Sequence, residues 1–234
     1  MGYFESGIIG YALLALIIGY LLGSINTAYI LGRFHKIDIR EHGSGNAGST
    51  NTLRTLGAKV AVLNLIGDVL KGLIAVWIGS KLLGGDTSTY PILQHQMLGL
   101  IAGFGAVLGH NFPFYLKFRG GKGVATTGAV CLWYSWPMSL VLITIFAIIV
   151  ALSGYVSLGS VIALALIPFL LVLAPTLLPD SIQPFFHQPV ETGIWILFLI
   201  ACCYSILGIY RHRGNIKRLI QGTENKFSFK KKEE

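Results

Sequence analysis

Charge is what this 234-residue chain lacks: 12% of its residues are Asp, Glu, Lys or Arg, about half the share of an ordinary soluble domain. So small a supply cannot coat a globular surface. It excludes a soluble enzyme, a disordered tail and, despite a net charge of +8, a nucleic-acid-binding module. Cysteine is scarce as well. Cys131, Cys202 and Cys203 lie in apolar stretches with neither metal-ligand spacing nor a disulfide framework, and they read as small buried hydrophobes. Glu5 stands where a signal peptide carries its basic segment. Met1-Gly2 with Ser6 fits a myristoylation pattern, but the topology derived below puts that end outside the cytosol. No internal repeat, soluble-sized domain or low-complexity linker is visible, nor the ten-residue alternation of a transmembrane barrel.

What the chain has is apolar sequence. Hydrophobic residues make up 53% of it, gathered in runs of about 20, the length that spans a bilayer. Hydropathy gives six blocks, at about 7–32, 58–83, 92–116, 123–152, 155–178 and 192–210. Loop charges set their direction. The 33–54 connection carries Arg33, Lys36, Arg40 and Arg54, and the 117–122 connection carries Lys117, Arg119 and Lys122. The 84–91 and 179–191 connections hold Asp86, Asp180 and Glu191 and no Lys or Arg. The tail holds Arg211, Arg213, Lys217, Arg218, Lys226 and Lys230 to Lys232. Six spans would leave that basic tail outside and the acidic 179–191 loop inside. Seven spans repair both faults.

The block to divide is 123–152, where Pro137 follows Trp133, Tyr134 and Trp136. Aromatic rings favour the membrane interface and proline rarely continues a helix. A tight outer turn is therefore expected near 134–138, between helices at about 122–135 and 137–152. The expected fold is all-α: a polytopic integral membrane protein of seven transmembrane helices, N-terminus out and C-terminus in. It forms one membrane-embedded domain over 1–234, with a basic cytosolic tail from 211 to 234.

Two glycine-rich loops fall on the cytosolic side. Gly43-Ser44-Gly45-Asn46-Ala47-Gly48-Ser49-Thr50-Asn51-Thr52 contains no bulky side chain, so its backbone can aim several N–H groups at one anion. A helix is expected to begin near Thr50 or Asn51, either an acceptable cap, its dipole adding positive potential. Arg54 would then sit in the first turn, mildly unfavourable for a cation unless an anion binds there. Arg119-Gly120-Gly121-Lys122-Gly123 repeats the arrangement. It is not a Walker A loop, because its first glycine is missing and Gly123 takes the Ser/Thr place.

Other polar groups share that side. His110, in Gly109-His110-Asn111-Phe112-Pro113, reads as a ligand contact or a helix-end cap. His212 and Asn215 are spaced to share one helix face. Ser153, Tyr155, Ser157 and Ser160 form an uncharged polar turn. Lys217 and Arg218 suit anionic lipid heads. Asp68 and Lys71, inside a span, read equally as a functional pair or as a mutual ion pair. No His is followed five residues later by Asp, no Gly-x-Ser-x-Gly elbow occurs, and no Cys–His pairing is evident. The cluster suits phosphate groups beside lipid, with an activated acyl phosphate as one substrate and catalysis by positioning and charge neutralisation, without metal or cofactor.

Ser44-Gly45-Asn46-Ala47-Gly48-Ser49-Thr50-Asn51, the run from Gly109-His110-Asn111-Phe112-Pro113 through Phe118-Arg119-Gly120-Gly121-Lys122-Gly123-Val124-Ala125-Thr126, and Arg211-His212 through Asn215 to Gly222-Thr223-Glu224 resemble the acyl-phosphate-dependent glycerol-3-phosphate acyltransferases of bacteria, the PlsY family. The resemblance implies a seven-helix inner-membrane enzyme with a cytosolic site. It implies acyl transfer from acyl phosphate to the 1-hydroxyl of glycerol 3-phosphate, the first acylation of phospholipid synthesis. Ser44, Arg54, Lys122, His212 and Asn215 are implied to bind substrate phosphate. The Ser44–Gly48 backbone is implied to cradle the donor phosphate, and Gly43, Gly45, Asn46, Gly48, Thr50 and Asn51 are expected to bind substrate. Gly120, Gly121, His110, Ser157 and Ser160 are expected to line the site. A substrate phosphate is implied to accept the hydroxyl proton, with His212 as the alternative base. The chain is expected to act as a monomer among membrane lipids. Asn26, where the family often has proline, and Ser49, where alanine is usual, depart from the pattern. An organic-phosphate transporter is the competing class, but its usual inverted repeat and midplane helix breaks are not seen. A basic lipid-surface anchor explains the tail and not the two loops.

Overall fold

In the computed structural model, residues 7–84, 92–177 and 193–227 are described, and all regular structure among them is helical. The expectations placed on Met1–Ser6, Asp86, Asp180, Glu191 and Lys230 to Lys232 lie outside the described residues. Six segments are long and apolar enough to cross a membrane: Ile8–Phe34, Ala58–Leu83, Leu93–Leu116, Trp136–Ser153, Val156–Leu173 and Ile194–Arg211. The segment Val124–Tyr134 is apolar but has only 11 residues, about 16 Å of helix.

The first segment is two helices, α1 (Ile8–Ser24) and α2 (Thr27–Phe34). Asn26 causes the break: its Oδ1 accepts the Tyr29 N–H at 2.9 Å and caps α2. The Tyr115 hydroxyl donates to the freed Ser24 carbonyl at 2.8 Å. On α1, Ile9, Leu13, Ile17 and Leu21 are exposed along one face, whereas Ala15, Gly19 and Gly23 are buried along another. This is helical spacing with lipid on one side and protein on the other. A methyl group at Gly19 or Gly23 would strike the carbonyls of Ala102 or Ala106, so glycine lets α1 lie directly on the next but one span.

Helix α3 (Ser49–Leu56) precedes α4 (Ala58–Trp77), which runs on through a π segment, Ile78–Leu83. The sequence predicts one helix starting at Thr50 or Asn51 with Arg54 in its first turn. Instead α3 starts at Ser49 behind Gly48, and Gly57, at φ 86°, separates it from the spanning helix. Arg54 therefore lies in the last turn of α3, where the helix dipole favours a cation. Helix α5 (Ile92–Asn111) is the hub: its segment is 72% buried, against 22% for Ile8–Phe34 and for Trp136–Ser153. The core around it includes Leu98, Val107, Val76, Val130, Leu164, Leu197 and Tyr204.

The turn expected near 134–138 falls at Ser135, between α6 (Val124–Tyr134) and α7 (Trp136–Ser153), with Pro137 in the first turn of α7. There proline removes a donor the helix does not use. Helix α8 (Val156–Ile167) continues through a π segment, Pro168–Leu173. Helices α9 (Ile194–Arg211) and α10 (Arg213–Ile220) finish the chain.

Candidate active site

The first glycine loop is built around Asn51. This side chain is 1% exposed. Its Oδ1 accepts the Ser44 N–H at 2.8 Å and its Nδ2 donates to the carbonyls of Ile39 and His42 at 3.0 Å each. Asn51 is thus an internal clamp and not a helix cap. Gly43 and Gly45 take left-handed conformations, and a methyl group on Gly43 would strike Asn51 Oδ1. The N–H groups of Gly45 and Gly48 donate to the His42 and Asn46 carbonyls. With Ser44 also engaged and Ala47 fully buried, the candidate anion-binding face narrows to the N–H groups of Asn46, Ser49 and Thr50, which have no partner among the described residues. The last two open the first turn of α3, where backbone donors are unpaired by construction. The Ser44 side chain is exposed at the loop's tip.

The second loop folds back on α5. Gly120 N–H donates to the Asn111 carbonyl at 3.1 Å and Gly121 N–H to the His110 carbonyl at 3.0 Å. A methyl group on Gly121 would collide with His110 Nε2 and stand 2.7 Å from the Ala47 carbonyl. The two glycine loops are therefore neighbours, with Gly121 at their seam. Arg211, at the end of α9, donates from Nη2 to the Gly121 carbonyl at 2.7 Å and stacks over the Phe112 ring. Gly123, at φ 78°, starts α6.

Lys122 then points into a polar pocket closed by the tail. Its Nζ donates to Asn215 Oδ1 at 2.6 Å. Asn215 Nδ2 donates to Glu224 Oε1 at 2.7 Å, and Ser157 donates to the same oxygen at 2.9 Å. Arg218 Nε pairs with Glu224 Oε2 at 2.7 Å. Phe227 N–H donates to the Gly154 carbonyl at 2.7 Å, so the tail straps back over the turn between α7 and α8.

Burial holds the Lys122 ammonium down at about 8, aided by the charges of Arg218, Arg211 and Arg54 and opposed by Glu224. Glu224 stays below the usual carboxylate range, because hydrogen bonds from Asn215, Ser157 and Arg218 outweigh its burial. Burial and the neighbouring Lys122 push His212 down to about 4, so its imidazole is neutral at pH 7. Its Nδ1 lies 2.8 Å from the Gly208 carbonyl. A carbonyl only accepts, so Nδ1 carries the proton and Nε2 keeps a lone pair. Four cations (Arg54, Lys122, Arg211, Arg218) face one carboxylate (Glu224), an excess of three positive charges. Arg54 is half-buried and makes no hydrogen bond or ion pair with the described residues.

The structure thus brings Arg54, Gly120, Gly121, Lys122, Ser157, His212 and Asn215 together at one end of the bundle, with the loop that carries Ser44, Asn46 and Thr50 against Gly121. Three other residues singled out from the sequence are committed within the protein. Asn51 clamps its own loop. Ser160 donates to the Val156 carbonyl of its own helix. His110 is 3% exposed, its Nδ1 at 2.8 Å from Lys71 Nζ. Sequence reasoning missed Glu224, Arg211 and Arg218 as parts of the pocket. Glu224, an acid set among Arg213, Lys217, Arg218 and Lys226 in a basic tail, was the available signal. Among the described residues no group of His, Cys, Asp and Glu is arranged to hold a metal ion.

Comparison with known proteins identifies the family. The profile of the family described as glycerol-3-phosphate acyltransferase matches residues 13–222. A glycerol-3-phosphate acyltransferase of Clostridioides difficile (strain 630) is 40% identical over 228 residues, covering 96% of this chain and 98% of its own. That of Thermoanaerobacter pseudethanolicus is 42% identical over 221 residues, covering 94% and 98%. A crystal structure of PlsY, an integral membrane glycerol 3-phosphate acyltransferase, in its glycerol 3-phosphate form superposes with a TM-score of 0.74 at 34% identity, over 93% of this chain and 96% of that one. Its lysophosphatidic acid form gives 0.73 at 33%. The chain belongs to the glycerol-3-phosphate acyltransferase family and is a membrane-embedded acyltransferase.

Proposed function

We propose that this enzyme transfers an acyl group from acyl phosphate to the 1-hydroxyl of glycerol 3-phosphate, giving 1-acyl-glycerol 3-phosphate and inorganic phosphate, the first acylation of phospholipid synthesis. One observation carries the reading. Unpaired groups able to bind an anion, the Arg54 guanidinium and the N–H groups of Asn46, Ser49 and Thr50, stand on the loops around Lys122 at the end of an apolar bundle. Two phosphate-bearing substrates, one with an acyl chain, match that combination of charge and lipid.

In this reading the first loop cradles the donor phosphate, with the Gly43–Gly48 turn setting its curvature. Lys122, Arg54 and the Ser44 hydroxyl hold glycerol 3-phosphate, with Asn215 and Ser157 aligning Lys122 through Glu224. The acceptor oxygen attacks the acyl carbon, an ester C–O bond forms, and the C–O bond to phosphate breaks. Positive charge around the leaving phosphate lowers the barrier. The hydroxyl proton passes to a phosphate oxygen. His212, held at about 4, is too weak a base to take that proton efficiently near pH 7, and its Nε2 lone pair orients the hydroxyl instead. Acyl phosphate is already activated, so no covalent enzyme intermediate is required.

The topology follows from the same placement. Counting Val124–Tyr134 as a short crossing surrounded by protein gives seven crossings, N-terminus out and C-terminus in. The glycine loops and the basic tail then lie on the cytosolic face of the inner membrane, as the loop charges demand. Purified protein in liposomes, given labelled glycerol 3-phosphate with either acyl phosphate or acyl-CoA, tests the function. Labelled lysophosphatidic acid is expected from acyl phosphate alone. Equal use of acyl-CoA rejects the donor assignment, and labelled solute accumulating inside without product points to transport.

A further inference from the structure

Asp68 and Lys71 are buried charged residues that the proposed chemistry leaves unused. Both are buried on α4, with side chains 3% and 6% exposed, and they pair at 2.8 Å. The ammonium has two further neighbours. Lys71 Nζ donates to the Ile25 carbonyl at 3.0 Å, where the break between α1 and α2 frees it. It also lies 2.8 Å from His110 Nδ1. The ammonium thus has one charged neighbour and two hydrogen-bonding ones. A buried ammonium needs acceptors for its remaining protons, and the ones Lys71 finds belong to the α1–α2 break and to His110, the residue beside the second glycine loop.

The contact with His110 fixes its tautomer. An ammonium has no lone pair, so at 2.8 Å the Nδ1 of His110 must accept, and the ring proton sits on Nε2. Asp68 Oδ1, 3.3 Å from the same nitrogen, would suit the other tautomer. That arrangement would set two donors against each other at the shorter distance. The Nε2 edge then faces Gly121, where a methyl group would collide with it and would also crowd the Ala47 carbonyl. Gly121 is thus held from two directions, by this ring edge and by the His110 carbonyl that its N–H meets at 3.0 Å. The next residue is Lys122.

The same face of α4 ties down other parts of the site. Asn64, one turn before Asp68, donates to Ser49 Oγ at 3.0 Å, at the start of α3. Thr126, in the first turn of α6, donates to the Asp68 carbonyl at 3.1 Å. Both glycine loops and the α1–α2 break are therefore referenced to one buried polar stripe.

We propose that Asp68 and Lys71 are positioning residues for acyl transfer: they orient His110 as an Nε2–H wedge that seats Gly121, and with it Lys122, against the first glycine loop. This rests on the acyl-transfer reading above and adds a role for residues which that reading does not use. His110 touches no reacting atom in this arrangement and acts through the loop.

Two measurements test it. In lipid bilayers, ¹⁵N-histidine spectra of the wild-type protein are expected to show His110 as the Nε2–H tautomer, its signal assigned by its loss in His110→Asn. Lys71→Met is expected to shift the proton toward Nδ1, facing Asp68. For kinetics, His110→Asn is the informative variant. Its amide oxygen can replace Nδ1 as the acceptor for Lys71, so the buried charge stays satisfied, but the ring edge against Gly121 is gone. It is expected to melt with wild-type protein yet lose on the order of 10–100-fold in kcat/KM, the scale of a misplaced catalytic group. Wild-type turnover with unaltered His110→Asn kinetics, or a wild-type spectrum showing Nδ1–H, overturns the positioning role alone. Wild-type protein with the expected spectrum but no acyl transfer overturns the functional reading, and the positioning role with it.

Discussion

Replacing Glu224 by Gln probes how the tail completes the pocket. The carboxylate is 6% exposed and accepts from Asn215 at 2.7 Å, from Ser157 at 2.9 Å and from Arg218 at 2.7 Å. Glutamine can present an oxygen to Asn215 and Ser157, but a neutral one. A hydrogen bond to a charged group contributes about 1.5–3 kcal/mol and a neutral one about 0.5–1.5, so these two bonds lose about 1 kcal/mol each. The new NH₂ faces Arg218 and ends the third bond. The Arg218 side chain is 41% exposed, so screening limits that loss to about 0–1 kcal/mol. The total is about 2–3 kcal/mol. Asn215 also receives Lys122, so the loss is expected in substrate binding and transition-state stabilisation, roughly 30- to 150-fold in kcat/KM. Lys122 would also lose the charge that favours its ammonium, which moves the basic limb of the kcat/KM profile below the wild-type position. The assay is steady-state formation of labelled lysophosphatidic acid across pH. A variant within about threefold of wild type, with an unmoved basic limb, refutes the reasoning.

Three further outcomes are expected. A pocket for a phosphate dianion needs Lys122 charged, so wild-type kcat/KM is expected to fall as pH rises through about 8, and Lys122→Arg, whatever its activity, is expected to lack that limb. His212, held at about 4, is expected to add no inflection between pH 6 and 7 to the profile of the free enzyme, and one that vanishes in His212→Ala would contradict its neutral state. Asn51→Ala strands the Ser44 N–H and the Ile39 and His42 carbonyls, and is expected to cost about 2–4 kcal/mol, seen as a lower melting temperature and a raised KM for the donor. Wild-type melting in that variant would show that the clamp is not needed.

Much of the architecture could be read from particular residues. Trp133, Tyr134, Trp136 and Pro137 located the break at Ser135, because interface preference and proline chemistry act locally. The two glycine loops, with Arg54 and Lys122, marked the end of the bundle where the candidate pocket lies, since the absence of side chains is itself a sequence signal. The separation of α3 from α4 was not legible. Gly57 is one glycine among 29, and nothing in its neighbours marks it as the one that takes a positive φ between two helices. Asn51 has the chemistry of a cap and of a clamp, and only the packed carbonyls of Ile39 and His42 decide between them. Glu224 and the Lys71–His110 contact were hidden for a related reason: each joins residues distant in the chain, and no periodicity records such a pairing.

The central claim is that the amides and cations at this end of the bundle form a pocket for a phosphate dianion. Calorimetric titration of glycerol 3-phosphate into purified wild type, Arg54→Ala and Lys122→Ala tests it most directly, with melting temperatures recorded alongside. Lost charge contacts at a buried site cost about 2–4 kcal/mol, roughly 30- to 1,000-fold in affinity, and neither variant is expected to melt below the wild type. Wild-type affinity retained in both variants would contradict the account.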